Sequence, residues 1–214
     1  MSYWFESMDS HQIYGRTLDP DRGHLIDDRH FTISGVPRRF RNCSLHLIPD
    51  DVPHCKPLYE WARNAADNIN KGKGVALFGD FGTGKTGAAV SLLAEALHVG
   101  AYCFFVKALD LNDIYKSRDR EAIPFRKKIE KIQFLIVDDI GAARDKDFGV
   151  HKEIIEKIIR ARYDSMLATV ITTNEDPNKF LEQYKSIASI IGAEYTGVTC
   201  KGVDWRKGGE PCLV

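Results

Sequence analysis

Four short apolar runs bounded by polar residues set the frame of this chain. They are Val75-Ala76-Leu77-Phe78, Cys103-Phe104-Phe105-Val106, Phe134-Leu135-Ile136-Val137 and Ala168-Thr169-Val170-Ile171-Thr172-Thr173. Runs of this length without polar alternation predict strands covered on both faces. Between them the spacing changes to that of helices. Thr86 to His98 reads as a helix closed by Gly100, and Val150, Ile154, Ile155, Ile158 and Ile159 share one helical face. Upstream, Pro57 suits a first helical turn, and Leu58, Trp61, Ala62, Ala65 and Ile69 follow at helical spacing. Lys71-Gly72-Lys73-Gly74 ends that helix and turns into the first strand. Residues 108–131 are mixed, helical in places and broken at Pro124. Strands and helices in this alternation predict an α/β fold, a parallel sheet flanked by helices.

Residues 1–36 break the pattern. They are polar, rich in Asp, His and Gly, and carry no sustained period, with a turn signal at Asp19-Pro20-Asp21-Arg22-Gly23. A loosely structured N-terminal arm over 1–36, available to bind a partner, is therefore expected ahead of one domain over 37–214. Composition bounds the rest. Of 214 residues 43% are hydrophobic, enough for a core, and 30 basic residues balance 30 acidic ones. A nucleic-acid contact must then come from a local patch, because the whole molecule supplies no field. No apolar run approaches the roughly 20 residues needed to span a bilayer. The start, Met1 to Glu6, lacks a secretory signal, so a cytoplasmic protein is expected. The five cysteines contain no C-x-x-C pair. Cys43, His46, His54 and Cys55 lack the paired spacings of zinc ligands, and reduced structural thiols are the reading.

Candidate chemistry sits where the strands end. Gly79-Asp80-Phe81-Gly82-Thr83-Gly84-Lys85-Thr86 is a full G-x-x-x-x-G-K-[ST] phosphate loop between a strand and a helix, with Gly87 next. Its glycines let main-chain N–H groups curl around phosphate oxygens, and the helix N-terminus adds a favourable dipole. Lys85 would reach the β- and γ-phosphates of ATP, and the Thr86 hydroxyl would ligate Mg²⁺. Roughly fifty residues on, the third strand runs into Asp138-Asp139, at the sheet edge where ligands bind. Asp138 is the expected Mg²⁺ partner, direct or second-sphere, and Asp139 is placed to orient and deprotonate an attacking water. Asn174, after Thr172-Thr173, would report the γ-phosphate through its amide.

Together these elements resemble the AAA+ P-loop ATPases, and within them the DnaC/IstB-type group of helicase loaders and transposase helpers. The likeness is carried by Gly35 to Phe40, Gly79 to Thr86 and Phe134 to Gly141. Arg162-Tyr163, Val170 to Asn174 and Asp204-Trp205-Arg206 add to it. It implies an AAA+ core with at most a reduced C-terminal lid, ATP hydrolysis, and an ATP-dependent homo-oligomer. It also implies nucleotide sensing by Arg206, and partners that include single-stranded DNA and a replicative helicase or transposase. One departure stands out. Where the group carries a trans-acting arginine finger this chain has Ile190, and such fingers contribute about 10³–10⁵ in rate, so slow hydrolysis or a displaced finger is expected. The N-terminal region is also shorter than in helicase loaders of this type. Seven basic residues (Lys116, Arg118, Arg120, Arg126, Lys127, Lys128 and Lys131) stand against three acidic ones between 116 and 131. They form a candidate single-strand contact or simply a solvated helix face. Arg38, Arg39 and Arg41 form a second basic cluster. The leading expectation is a helicase loader, with an IstB-type transposition helper or a weakly hydrolysing ATP-gated DNA adaptor as alternatives. A small-molecule kinase would share the phosphate loop, but the Thr-Thr-Asn strand end speaks against it.

Overall fold

The four apolar runs become four strands of one parallel sheet. They are β1 (Gly74–Phe78), β2 (Cys103–Lys107), β3 (Phe134–Ile140) and β4 (Ala168–Thr173), joined by β5 (Tyr195–Thr199). The order is β2-β3-β4-β1-β5, with every pairing parallel. This computed structural model describes residues 23–47, 55–141, 148–202 and residue 204. No helix among the described residues is long and apolar enough to cross a membrane.

Period-two alternation splits each strand between two cores. Val75, Leu77, Cys103, Phe105, Phe134, Ile136, Ala168 and Val170 face one side. There they meet α2 (Cys55–Arg63), α3 (Ala65–Asn70) and the phosphate-loop helix α4 (Lys85–His98). Ala76, Phe78, Phe104, Val106, Leu135, Val137 and Ile171 face the other. That side is covered by α5 (Ala108–Lys116), α6 (Ala122–Lys131), α7 (Phe148–Asp164), α8 (Pro177–Gln183) and α9 (Lys185–Glu194). Both faces being covered explains why these strands read as unbroken apolar runs.

Four local readings change. The single helix expected after Pro57 is two, α2 and α3, divided at Asn64. Pro124 does not break a helix but occupies the first turn of α6, where its missing N–H costs no hydrogen bond. The break falls at residues 117–121 instead. Third, the stretch of the expected loose arm over 23–36 contains α1 (Asp28–Ile33), held by a capping box between Asp27 and His30. Its Phe31 and the following Val36 enter the α4-side core, and Ser34 O accepts the Phe105 N–H at 2.8 Å along β2. A six-residue helix is too short to display a period, and packing rather than pattern sustains it. Finally, α8, α9 and β5 had no distinct signal. Only Val198 of β5 is buried, the pattern of an outermost strand.

Candidate nucleotide site

The strand order brings the ends of β1, β3 and β4 together at one edge of the sheet, and β4 lies between the other two. From β1 the phosphate loop turns into α4 through Gly84, whose φ of 86° is a left-handed conformation that glycine takes without strain. At Gly79 a Cβ would lie 2.2 Å from the Cys200 carbonyl oxygen, so the loop passes flush against the end of β5. The Thr83 hydroxyl donates to Asp80 O at 2.8 Å and closes the turn. Asp80 and Phe81 stand at the exposed lip. Lys85 is 7% exposed and donates to the carbonyls of Gly79 (2.8 Å) and Asp80 (2.6 Å). Burial lowers the pKa of its ammonium group, while the nearby Asp139 and Asp138 carboxylates act the other way.

Asp138 is buried at 6% exposure, and two hydroxyls converge on its Oδ1. Thr86 donates at 2.9 Å and Thr172 at 2.8 Å. Burial raises its pKa, and those two hydrogen bonds oppose the rise. A threonine hydroxyl and a carboxylate in contact form a hard-oxygen donor pair that fits Mg²⁺.

Asp139 reaches the same edge by a backbone irregularity. Adjacent strand residues normally point to opposite faces, which would send consecutive acids to different sides of the sheet. Here the β3–β4 register steps from Val137↔Ile171 to Ile140↔Thr173, so two residues of β3 oppose one of β4. The inserted residue is Asp139, at φ 61°. Its N–H donates to Thr172 Oγ1 at 2.8 Å, and its Oδ1 accepts from Asn174 Nδ2 at 2.6 Å. Thr173 steadies the turn, its hydroxyl donating to Ile140 O and accepting the Glu175 N–H.

Lys85, Thr86, Asp138, Asp139 and Asn174 therefore form one connected constellation. Gly79 to Gly84 build the loop beside it, and Gly87 lies in the first turn of α4. Asn174 touches the second acid rather than standing alone at the strand end. Thr172, to which sequence reasoning gave no role, links the two aspartates; its signal was a hydroxyl two positions before Asn174. Arg206 lies outside the described residues. Asp204, the described residue nearest to it in sequence, packs on Gly82, where a Cβ would fall 1.9 Å from its carboxylate.

Two other expectations meet packing. Ile190 is 7% exposed and sits in the α7-side core, so its position does not present a side chain to a neighbouring molecule. Within the basic segment, Arg126 donates to the carbonyls of Ile114 and Ser117 and lies over the Tyr115 ring. Lys128 lies 4.5 Å from the centre of the Phe104 ring, and burial lowers its pKa. These two cations serve packing. Lys116, Arg118, Arg120, Lys127 and Lys131 are exposed.

A parallel sheet of this order, carrying a phosphate loop and an acidic strand end, is the AAA+ P-loop ATPase fold. The family model for the IstB-like ATP binding protein matches residues 62–188, and the chain belongs to that family. Among solved structures it is similar to the DnaC helicase loader at 23% identity, with TM-score 0.66 over 77% of this chain and 100% of that one. It is similar to DnaI at 21% identity, with TM-score 0.65 over 79% of this chain and 94% of that one. The replication initiator DnaA bound to AMPPCP and single-stranded DNA gives 16% identity and TM-score 0.62, over 78% of this chain and 51% of that one. At these identities the likeness is one of fold. No curated protein matches the chain.

Proposed function

We propose that this protein is an ATP-switched AAA+ ATPase of DNA replication that assembles on single-stranded DNA and delivers a replicative helicase. The observation that carries the reading is the Thr86–Asp138 hydrogen bond, which joins the phosphate loop to the acidic strand end. Lys85 exchanges its two loop carbonyls for the β- and γ-phosphates, and the main-chain N–H groups of 79–86 hold the remaining oxygens. Thr86 and Asp138 hold Mg²⁺, which when bound neutralises phosphate charge and fixes the triphosphate. Asp139 accepts the proton of the attacking water, and Asn174, already on Asp139, moves between that carboxylate and the γ-phosphate. Arg206 is kept as a nucleotide-sensing candidate.

With position 190 in the core, no arginine at that point of α9 reaches a neighbour's nucleotide, so slow hydrolysis follows and ATP acts chiefly as a switch of assembly. Arg118, Arg120 and Lys127 supply the exposed charge for phosphate contacts. Residues 1–36 are the proposed partner-binding segment. Within its described stretch Leu25 (96%) and Ile33 (44%) present apolar side chains to solvent. A second reading, a transposition helper of the IstB type, is favoured by the family model itself.

Sizing the protein by scattering with ATP, ADP and a non-hydrolysable analogue, each with and without single-stranded DNA, tests the switch. Growth in mass with ATP and DNA together supports it. A monomer under every condition removes the loader and the helper alike. Adding a hexameric helicase or a transposase then separates the two by which one enters the complex.

A further inference from the structure

One buried side chain hydrogen-bonds to both acids of the site. Thr172 is 1% exposed at the end of β4. A hydroxyl has one proton to donate and two lone pairs with which to accept. Here the proton goes to Asp138 Oδ1 at 2.8 Å, and a lone pair receives the Asp139 N–H at 2.8 Å. The two contacts differ in kind. One aims a carboxylate, and the other pins the backbone of an inserted residue in a left-handed conformation.

We propose that Thr172 is the positioning residue of the acidic pair, its single hydroxyl setting the Asp138 carboxylate towards Thr86 and locking the bulge that carries Asp139 to the same edge. The inference rests on the ATP-binding reading above. Without the hydroxyl, the Asp139 N–H loses its acceptor and Asp138 keeps only the Thr86 donor. The bulge is then free to relax towards regular pleating, which turns Asp139 away from Lys85. A β-branched residue suits the task, because its χ1 is restricted in a strand and the hydroxyl direction is held. Thr172 touches no reacting atom, and its effect passes through the two aspartates.

The test uses the full chain with Thr172→Val, which keeps the shape and removes the hydroxyl, and Thr172→Ser, which keeps the hydroxyl. Affinity for a fluorescent ATP analogue is measured in EDTA and across a Mg²⁺ titration, beside single-turnover hydrolysis and a thermal melt. In Thr172→Val, the Mg²⁺ concentration for half-maximal tight binding rises roughly 10- to 100-fold, the range expected for losing a hydrogen bond to a charged group. Turnover falls with it, while affinity in EDTA stays within about twofold, because the loop amides and Lys85 are untouched. Thr172→Ser recovers most of both losses. A Thr172→Val chain with an unchanged Mg²⁺ midpoint overturns the proposal. Equal losses with and without Mg²⁺ overturn it too, since they mark a general collapse of the site. Should the valine variant fail to fold, Thr172→Ala is read by the same criteria. An unaltered chain with no Mg²⁺-dependent ATP affinity overturns the ATP reading itself, a result distinguishable from failure of the variant alone.

Discussion

Thr169 and Thr172 stand three residues apart on β4, and each hydroxyl lies against a buried charge on a different face of the sheet. On the α7 side Thr169 accepts from Arg162 Nε at 2.8 Å. The same guanidinium donates to Ile129 O (2.9 Å), Ile132 O (2.8 Å) and Ala168 O (2.6 Å). None of these acceptors is a carboxylate. Burial pulls the arginine down to about 9, which leaves it charged at neutral pH. Its partners are largely main-chain oxygens, fixed where the fold puts them, so it ties the end of α6, the entry to β3 and the start of β4 to α7. On the α4 side the charges are Asp138 and Asp139, and hydroxyls, an amide and the Lys85 ammonium surround them. Arg162 is wholly buried, so no ligand reaches the carbonyls it serves, whereas the contacts around the two acids lie at the sheet edge beside the phosphate loop. Similar burial therefore serves architecture at one end of the strand and, on the proposed function, exchange at the other.

The largest effect is expected at the architectural end. Arg162→Met takes the guanidinium's hydrogen bonds from three buried carbonyls and the Thr169 hydroxyl, and each buried polar group left without a partner costs about 1–3 kcal/mol. For a chain of this size, that lowers the melting temperature by on the order of 10 °C. Nucleotide affinity of the folded protein should hold within about twofold, since the site lies across the sheet. A calorimetric melt beside a binding titration decides it, and an unchanged melt would erase the contrast.

Lys85→Ala should show the reverse. Losing a charged donor to the phosphates reduces ATP affinity about 100-fold. The melt without nucleotide should move by no more than about 1 kcal/mol, because a partly desolvated ammonium leaves with the hydrogen bonds it made. A large drop in stability would mean that Lys85 also belongs to the framework.

How much of this contrast was legible in the chain depends on which physics each end uses. The exchange end was readable, because phosphate chemistry demands glycines, a lysine and a hydroxyl at fixed spacing, and two acids closed an apolar run. The bulge was not. Consecutive aspartates say nothing about which one is inserted, and only the register against β4 reveals it. Arg162 leaves a trace of its own. It falls four residues after Ile158 and three after Ile159, on the apolar stripe of α7, where a solvated arginine does not belong. Beyond marking a resemblance, its position already pointed to burial. α1 and β5 were hidden for other reasons, the one too short to show a period and the other half-polar at the sheet's edge.

Asp139→Asn tests whether the second acid belongs to the exchange end in function as well as in place. Asparagine tolerates the left-handed backbone, so the bulge survives the change. Turnover measured in a single cycle should fall about 10²- to 10⁴-fold, the contribution of a positioned general base. Affinity for ATP and ATP-driven assembly should remain. Turnover close to that of the unaltered chain would assign the proton transfer elsewhere.

The smallest effect is one of pH, and its sign separates the two ends. Burial holds the Asp138 pKa above its ordinary 3.8 in the folded, metal-free chain. The stability this contributes is fully present below 3.8 and is lost as pH rises through the raised folded value. Acidifying across that window should thus stiffen the metal-free site, while Mg²⁺-dependent ATP binding weakens, because a protonated carboxyl is no ligand. Arg162 keeps its charge throughout the acid range and adds no slope. The exposed Asp27, held at about 2 chiefly by its hydrogen bond from Arg29, acts in the opposite sense. Its contribution is present above 3.8 and is lost as pH falls towards 2, a window below that of Asp138. Melts and Mg²⁺ titrations stepped through this range, with Asp138→Asn as the flat reference, should show metal-free stability rising as Mg²⁺ affinity falls. If the two curves decline together, the buried carboxylate is being held by the framework in the manner of Arg162, and the two ends of β4 differ less than their contacts imply.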